Sequence, residues 1–186
     1  MVLLDALIIY FVITLVVICI IATIYALMYN KFNEISIRID EAEANIDNIL
    51  RSKYDALNRA ISIIKGNVEI DDEIFEEIVK LRSRKISNFA LDRKLVEASN
   101  EFFKLKEQYK DLYDSSDELK KISKLIKSSD EKLVTLKEYF NSNVSKYNKL
   151  VKSFPTNVVA LISKYNEKLF FDRKDMSDED HNDFKL

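Results

Sequence analysis

The sequence predicts an all-α chain: one N-terminal transmembrane helix continuing into an antiparallel bundle of three long helices, with a short C-terminal helix after them. Two observations carry this. Gly and Pro occur once each in 186 residues, where an ordinary chain of that length would hold about 22 of the two together. Turn-rich sandwiches and barrels, which reverse direction at every strand, are excluded on that ground. The charges are also segregated. No charged residue falls between Ala6 and Asn30, and all 29 Lys and Arg lie at Lys31 or later.

The charge-free run comes first. At about 1.5 Å rise per residue it exceeds the roughly 30 Å hydrocarbon core of a bilayer, so it spans with some tilt. A cleaved signal peptide would begin with basic residues and end at a small-residue site. Here Asp5 precedes the run and bulky Leu27-Met28-Tyr29 closes it. Residues 1–30 therefore read as an uncleaved anchor, and Cys19 as a small apolar side chain in lipid. Lys31 and Arg38 follow the run while no Lys or Arg precedes it. That bias places the protein in the cell membrane, single-pass, with its N-terminus outside and its C-terminal domain cytoplasmic.

From Ile35 apolar residues alternate at spacings of four and three: Ile35, Ile39, Ala42, Ile46, Ile49, then Lys53, Ala56, Ala60 and Ile63. That is a coiled-coil-like seam, and Leu50, Leu57 and Ile64 widen it into a bundle stripe. With no Gly or Pro before Lys65, anchor and first helix are expected to be continuous, ending at Gly66 as a C-terminal Gly cap. Asp71-Asp72-Glu73 starts a second helix through Ile74, Phe75, Ile78, Leu81, Phe89, Val96, Phe102, Phe103 and Tyr109. Asp114-Ser115-Ser116-Asp117 is the next break, rich in capping side chains. A third helix keeps one phase from Leu119 through Ile126, Ser129, Leu133, Phe140, Asn143, Tyr147 and Leu150 to Phe154, passing unbroken through Ser128-Ser129-Asp130, and Pro155 ends it. Thr156 is then placed to cap a short helix bearing Val158, Leu161, Ile162, Tyr165 and Leu169. Residues 31–171 form the bundle, and 172–186 an acidic tail expected to be disordered.

Ile46-Asp47 with Leu50, Lys53-Tyr54-Asp55 and Ile64-Lys65-Gly66, together with Leu81-Arg82, resemble the first two helices of the LemA family. The run Phe140-Asn141, Val144, Tyr147-Asn148, Phe154-Pro155, Asn157, Ala160 and Phe170-Phe171 resembles that family's aromatic-Asn pairs and Phe-Pro. Asn58 stands where the family has Pro, and Ile70-Asp71 replaces a His-Glu pair. The resemblance implies a short outside N-terminus, one membrane helix and a helical cytoplasmic domain with no agreed activity. Some members are associated with membrane remodelling in magnetosome-forming bacteria, others with envelope stress and membrane proteases.

Few residues invite chemistry. Lys53 interrupts the first seam and Arg82 lies near the second; they could meet a ligand or lipid headgroup, but interhelical pairing to Asp or Glu explains them more simply. Asn141, Asn148 and Asn166 each follow an aromatic. A recognition surface is one reading, register-fixing polar groups at the seam edge the simpler one. The acids at Asp71, Asp72, Glu73, Glu76 and Glu77 lack calcium-loop spacing. Lys80, Arg82, Arg84 and Lys85, with Glu76, Glu77 and Asp92 nearby and a net charge of −2, read as a solvated face and suggest no nucleic-acid partner. The one His, His181, falls in the tail. No catalytic group, metal or cofactor is expected.

Two functions from different classes remain. One is a non-enzymatic interaction or scaffolding module at the bacterial cell membrane, its partners the lipid bilayer and another protein or a second copy of itself. The residues best suited to a structural or interaction role are Lys53, Arg82, Asn141, Asn148, Phe154 and Pro155. The other is a metal-dependent or hydrolytic enzyme on a helical bundle, which the absence of any Glu-x-x-His pair disfavours.

Overall fold

Between Val2 and Lys65 there is neither Gly nor Pro, and the chain forms one helix of 64 residues. The computed structural model describes residues 2–68 and 87–171. Its elements are α1 (Val2–Lys65), α2 (Asn88–Gln108), α3 (Lys110–Ser115), α4 (Asp117–Lys152) and α5 (Thr156–Ser163), with no strand among the described residues. Two compact units share these helices: Met1–Asp40 with Ser142–Phe170, and Glu41–Asn141 with Phe171–Leu186.

In the first unit the start of α1 is bare. Leu3, Ile8, Phe11, Ile18, Ile21 and Leu27 are all more than half exposed. The helix is long and apolar enough to cross a membrane. Thr14 and Thr23 each donate their hydroxyl to the carbonyl four residues back, of Tyr10 and Cys19, at 2.8 Å. Both hydroxyls are thereby satisfied within the helix. Burial begins at Phe32, and Ile35 and Ile39 follow one face. They share the core of this unit with Val144 and Tyr147 of α4 and with Val159 and Ala160 of α5. Phe32 stands edge-on to Tyr147 at 5.5 Å and tilted against Tyr165 at 5.0 Å.

In the second unit Ala42, Ile46, Leu50, Leu57, Ala60 and Ile64 of α1 are buried, as are Leu95, Ala98 and Phe102 of α2 and Leu119, Ile126 and Leu133 of α4. Ile49 and Ile63 of the strict seam are only half-buried. A straight helix drifts by about 20° per heptad, which brings Leu50, Leu57 and Ile64 inward instead. On α4 the phase runs straight through Ser129, which is buried within the helix, to Phe140. Phe171 packs edge-on between Phe140 and Phe89, at 6.0 and 6.1 Å.

Several expectations are corrected. Gly66 does not adopt a positive φ; α1 ends instead with the Asn67 side-chain amide donating to the Ile63 carbonyl at 2.7 Å. The second helix stops at Gln108, because Tyr109 leaves the helical region, and α3 follows, running into the predicted break as far as Ser115. Within that break it is Ser116 that caps α4, accepting from the Leu119 amide at 3.3 Å. On α2 the core position is Leu95, while its neighbour Val96 faces outward. The short helix α5 stops at Ser163, where Lys164 turns left-handed, so Tyr165 and Leu169 lie past it and not on it. Thr156 does not cap α5. Its hydroxyl reaches back to the carbonyls of Leu150 and Ser153, at 2.6 and 2.8 Å, sealing the end of α4. Phe154, predicted to end the seam, is 82% exposed; the buried phase closes at Tyr147 because the chain leaves the helix after Lys152. The single second helix predicted from Asp71 through Phe89 does not run unbroken: α2 starts afresh at Asn88, where extended Ser87 caps it by accepting from the Ala90 amide at 3.2 Å. The part of that prediction before Ser87, with Arg82, and the tail with His181 lie outside the described residues.

Candidate functional site

Three of the polar residues singled out in the sequence, Lys53, Asn141 and Asn148, hold helices and chain segments together. Lys53 is wholly buried, and its Nζ donates to Asp130 Oδ1 of α4 at 2.5 Å. That is the interhelical pairing expected of it. A second pair went unforeseen: Asp92 of α2 is buried and ion-paired to Lys137 of α4. The ammonium of Lys137 also lies 5.3 Å from the Phe171 ring centroid. Asp92 thus belongs to the interior, not to the solvated face where its charged neighbours had placed it.

The two aromatic-Asn pairs have a shared purpose. In the second unit the Asn141 side chain donates to the Phe171 carbonyl and accepts from the Phe171 amide, both at 2.7 Å. In the first unit Asn148 makes the same two bonds to Lys168, both at 2.8 Å. A carboxamide carries one acceptor and one donor group in the arrangement of a peptide unit. Each Asn therefore clamps one residue of the non-helical segment after α5. Asn166, the third Asn after an aromatic, is exposed. Phe154 and Pro155 are likewise exposed, and Arg82 lies outside the described residues.

What the sequence did not single out is a groove of about 580 Å³ in the first unit. Lys31, Glu34, Ile35 and Arg38 of α1 line one side, and Asn143, Lys146, Lys149 and Leu150 of α4 the other. Ser153, Phe154 and Thr156 complete it. Four cations face one carboxylate there, and Arg38 already holds that carboxylate, Glu34, at 2.6 Å. The groove begins with the first charge after the apolar run, at Lys31. Its signal in the sequence was the spacing of Lys146 and Lys149, which shares one side of a helix, but pairing that side with Lys31 needs the tertiary structure.

Near it is a cluster of phenols. Tyr165 donates to Asn33 Oδ1 at 3.1 Å and stacks against Tyr29 at 6.1 Å. Its pKa is pushed up to about 12, by loss of water first and then by Tyr29 beside it. Burial, with the charge of Asp40, raises that of Tyr147 also. Both phenols stay protonated at neutral pH and act as packing and hydrogen-bonding groups.

The arrangement offers cations, apolar surface and clamped backbone, suited to binding anionic or amphipathic material. The model of the LemA family matches residues 42–184, most of the chain. The apolar run and the α1 side of the groove lie before that match. No curated protein matches the chain.

Proposed function

The chain belongs to the LemA family, and from that premise we propose that it is a non-enzymatic, single-pass membrane protein whose helical bundle holds protein partners close to the bilayer. The observation that carries this reading is the helix α1 itself. Its first part leaves large apolar side chains bare, and its continuation from Phe32 is buried among other helices. Bare apolar surface on that scale has no place in water. The sequence supports an interaction role over catalysis, since its one His lies at position 181 and no Glu-x-x-His pair is present. Lys31 and Arg38 favour a cytoplasmic bundle with the N-terminus outside. The family resemblance points to envelope organisation or membrane remodelling as the process served.

Three measurements on cells test the reading. Resistance of the full chain to alkaline extraction from membranes is expected; release into the wash would refute the anchor. A cysteine at exposed Val134, in a Cys19→Ala background, should react with a membrane-impermeant thiol reagent only after permeabilisation. Labelling of intact cells would reverse the orientation. Crosslinking in membranes followed by mass spectrometry should recover a reproducible partner or a dimer, and recovery of neither would remove the scaffolding role.

A further inference from the structure

Helix α5 has two faces. Val159 and Ala160 are buried, and the hydroxyl of Ser163 is hydrogen-bonded to that of Tyr25 on α1 at 3.1 Å. Val158, Leu161 and Ile162, at spacings of three and four, share the other face. They are 47%, 81% and 63% exposed, and Phe154 just before the helix is 82% exposed. An eight-residue helix that turns its largest apolar side chains outward is the reverse of a core element.

The level of this helix along α1 accounts for it. Tyr25 lies inside the charge-free run, five residues before its end at Asn30. A run of 25 residues is about 37 Å long, some 7 Å more than the hydrocarbon core. Tyr25 and Tyr29 therefore fall at the boundary between acyl chains and headgroups, where tyrosines concentrate. Ser163, bonded to Tyr25, is at that same boundary. Resting on the reading of α1 as a membrane span, we infer that Phe154 and the outward face of α5 enter the interfacial layer of the same bilayer, making a second contact beside the span. The occupant of this surface is lipid, because lipid is the apolar phase already present at its level. Charge agrees. Phe154 also lines the groove that carries Lys31, Lys146 and Lys149, and these cations would stand where anionic headgroups begin.

Full-length protein in vesicles of phosphatidylcholine and phosphatidylglycerol tests this. Single cysteines carry an environment-sensitive fluorophore, attached in detergent before reconstitution: native Cys19, and Leu161→Cys or Ser142→Cys in a Cys19→Ala background. Ser142 is exposed and lies ten residues before the end of α4, about 15 Å along the helix. Spin-labelled lipids then quench at shallow or deep positions. The expected result is a blue-shifted Leu161 probe that loses most of its emission to the shallow quencher, with Ser142 unaffected and Cys19 quenched by the deep one. A Leu161 probe as water-exposed as Ser142, with Cys19 still deeply quenched, would overturn the second contact and leave the span standing. A blue-shifted Leu161 probe that no lipid quenches would overturn it in favour of a protein cover. Loss of deep quenching at Cys19 would overturn the span and this contact with it.

Discussion

Lys53 keeps no part of its side chain in water, while the Asp130 carboxylate it grips at 2.5 Å keeps 44% of its own exposed. The pair thus joins a fully desolvated cation to a half-solvated anion. Removing the anion strands the cation. Asp130→Ala should therefore destabilise the chain by ~1–3 kcal/mol, below the ~3–5 kcal/mol of a pair buried on both sides. Lys53→Met, which fills the same space without charge, is expected to be neutral or stabilising by ~1 kcal/mol or more. Thermal unfolding of the full chain in detergent micelles, followed by circular dichroism, measures both. If Lys53→Met costs more than Asp130→Ala, the ammonium has a further partner.

That pair also marks how far the sequence could be read. Lys53 stood out because it broke an apolar repeat, and the helical period supplied the rest: the 36-residue α4, the passage through Ser129, and the continuity of α1. Period says which side of a helix is inward. It does not say which polar groups meet there, so Asp130 and the pairing of Asp92 with Lys137 were invisible. Nor does it say where the inside stops. Phe154 continues the phase of Tyr147 in sequence, yet it lies beyond the last helical turn, where phase has no geometric meaning. Val158, Leu161 and Ile162 look like core in the sequence because composition cannot tell burial against protein from an outward apolar face.

Phe140 tests the interior of the second unit. It is buried edge-on to Phe171, so Phe140→Ala should cost ~3–5 kcal/mol. Ser129→Pro should cost ~3 kcal/mol or more, since it removes a hydrogen bond from the middle of α4. The same unfolding assay reports both. A loss below about 1 kcal/mol for Phe140→Ala, the size of an ordinary surface change, would place that ring outside the core.

The Asn clamps predict a local effect. Asn148→Ala removes both bonds to Lys168, which should cost ~1–3 kcal/mol and abolish hydrogen-exchange protection of the Lys168 amide. Asn148→Asp retains the acceptor for that amide and forfeits the donor to the carbonyl, so protection should be only partly lost. Equal loss in the two variants would mean that the amide bond contributes nothing to holding the segment.

Alkaline pH should weaken the first unit. The Tyr165 hydroxyl has its pKa raised from 10 to about 12, and that of Tyr147 is raised as well. The unfolded chain therefore gives up these protons at lower pH than the folded one. The stabilising contribution of Tyr165 is whole below pH 10 and is lost between 10 and about 12; that of Tyr147 likewise falls as pH rises through its raised value. Tyrosinate absorbance during a pH titration should show late-ionising phenols, of which the latest disappears in Tyr165→Phe. Ionisation of every tyrosine in a single step near the usual value would contradict the cluster.

The unbroken helix from the apolar run into the buried core leaves α1 without a swivel. Tyr25 and Phe32 are seven residues apart, which at about 100° per residue sets them within about 20° of the same azimuth. Tyr25 meets Ser163 and Phe32 meets Tyr147 from that one bearing. The apolar stretch of α1 is therefore keyed like a shaft: it cannot roll about its axis without carrying the Phe32 contact round with it. A single residue inserted after Asn30 would slip the key by about 100°, parting one contact from the other while leaving length, charge and hydropathy almost unchanged.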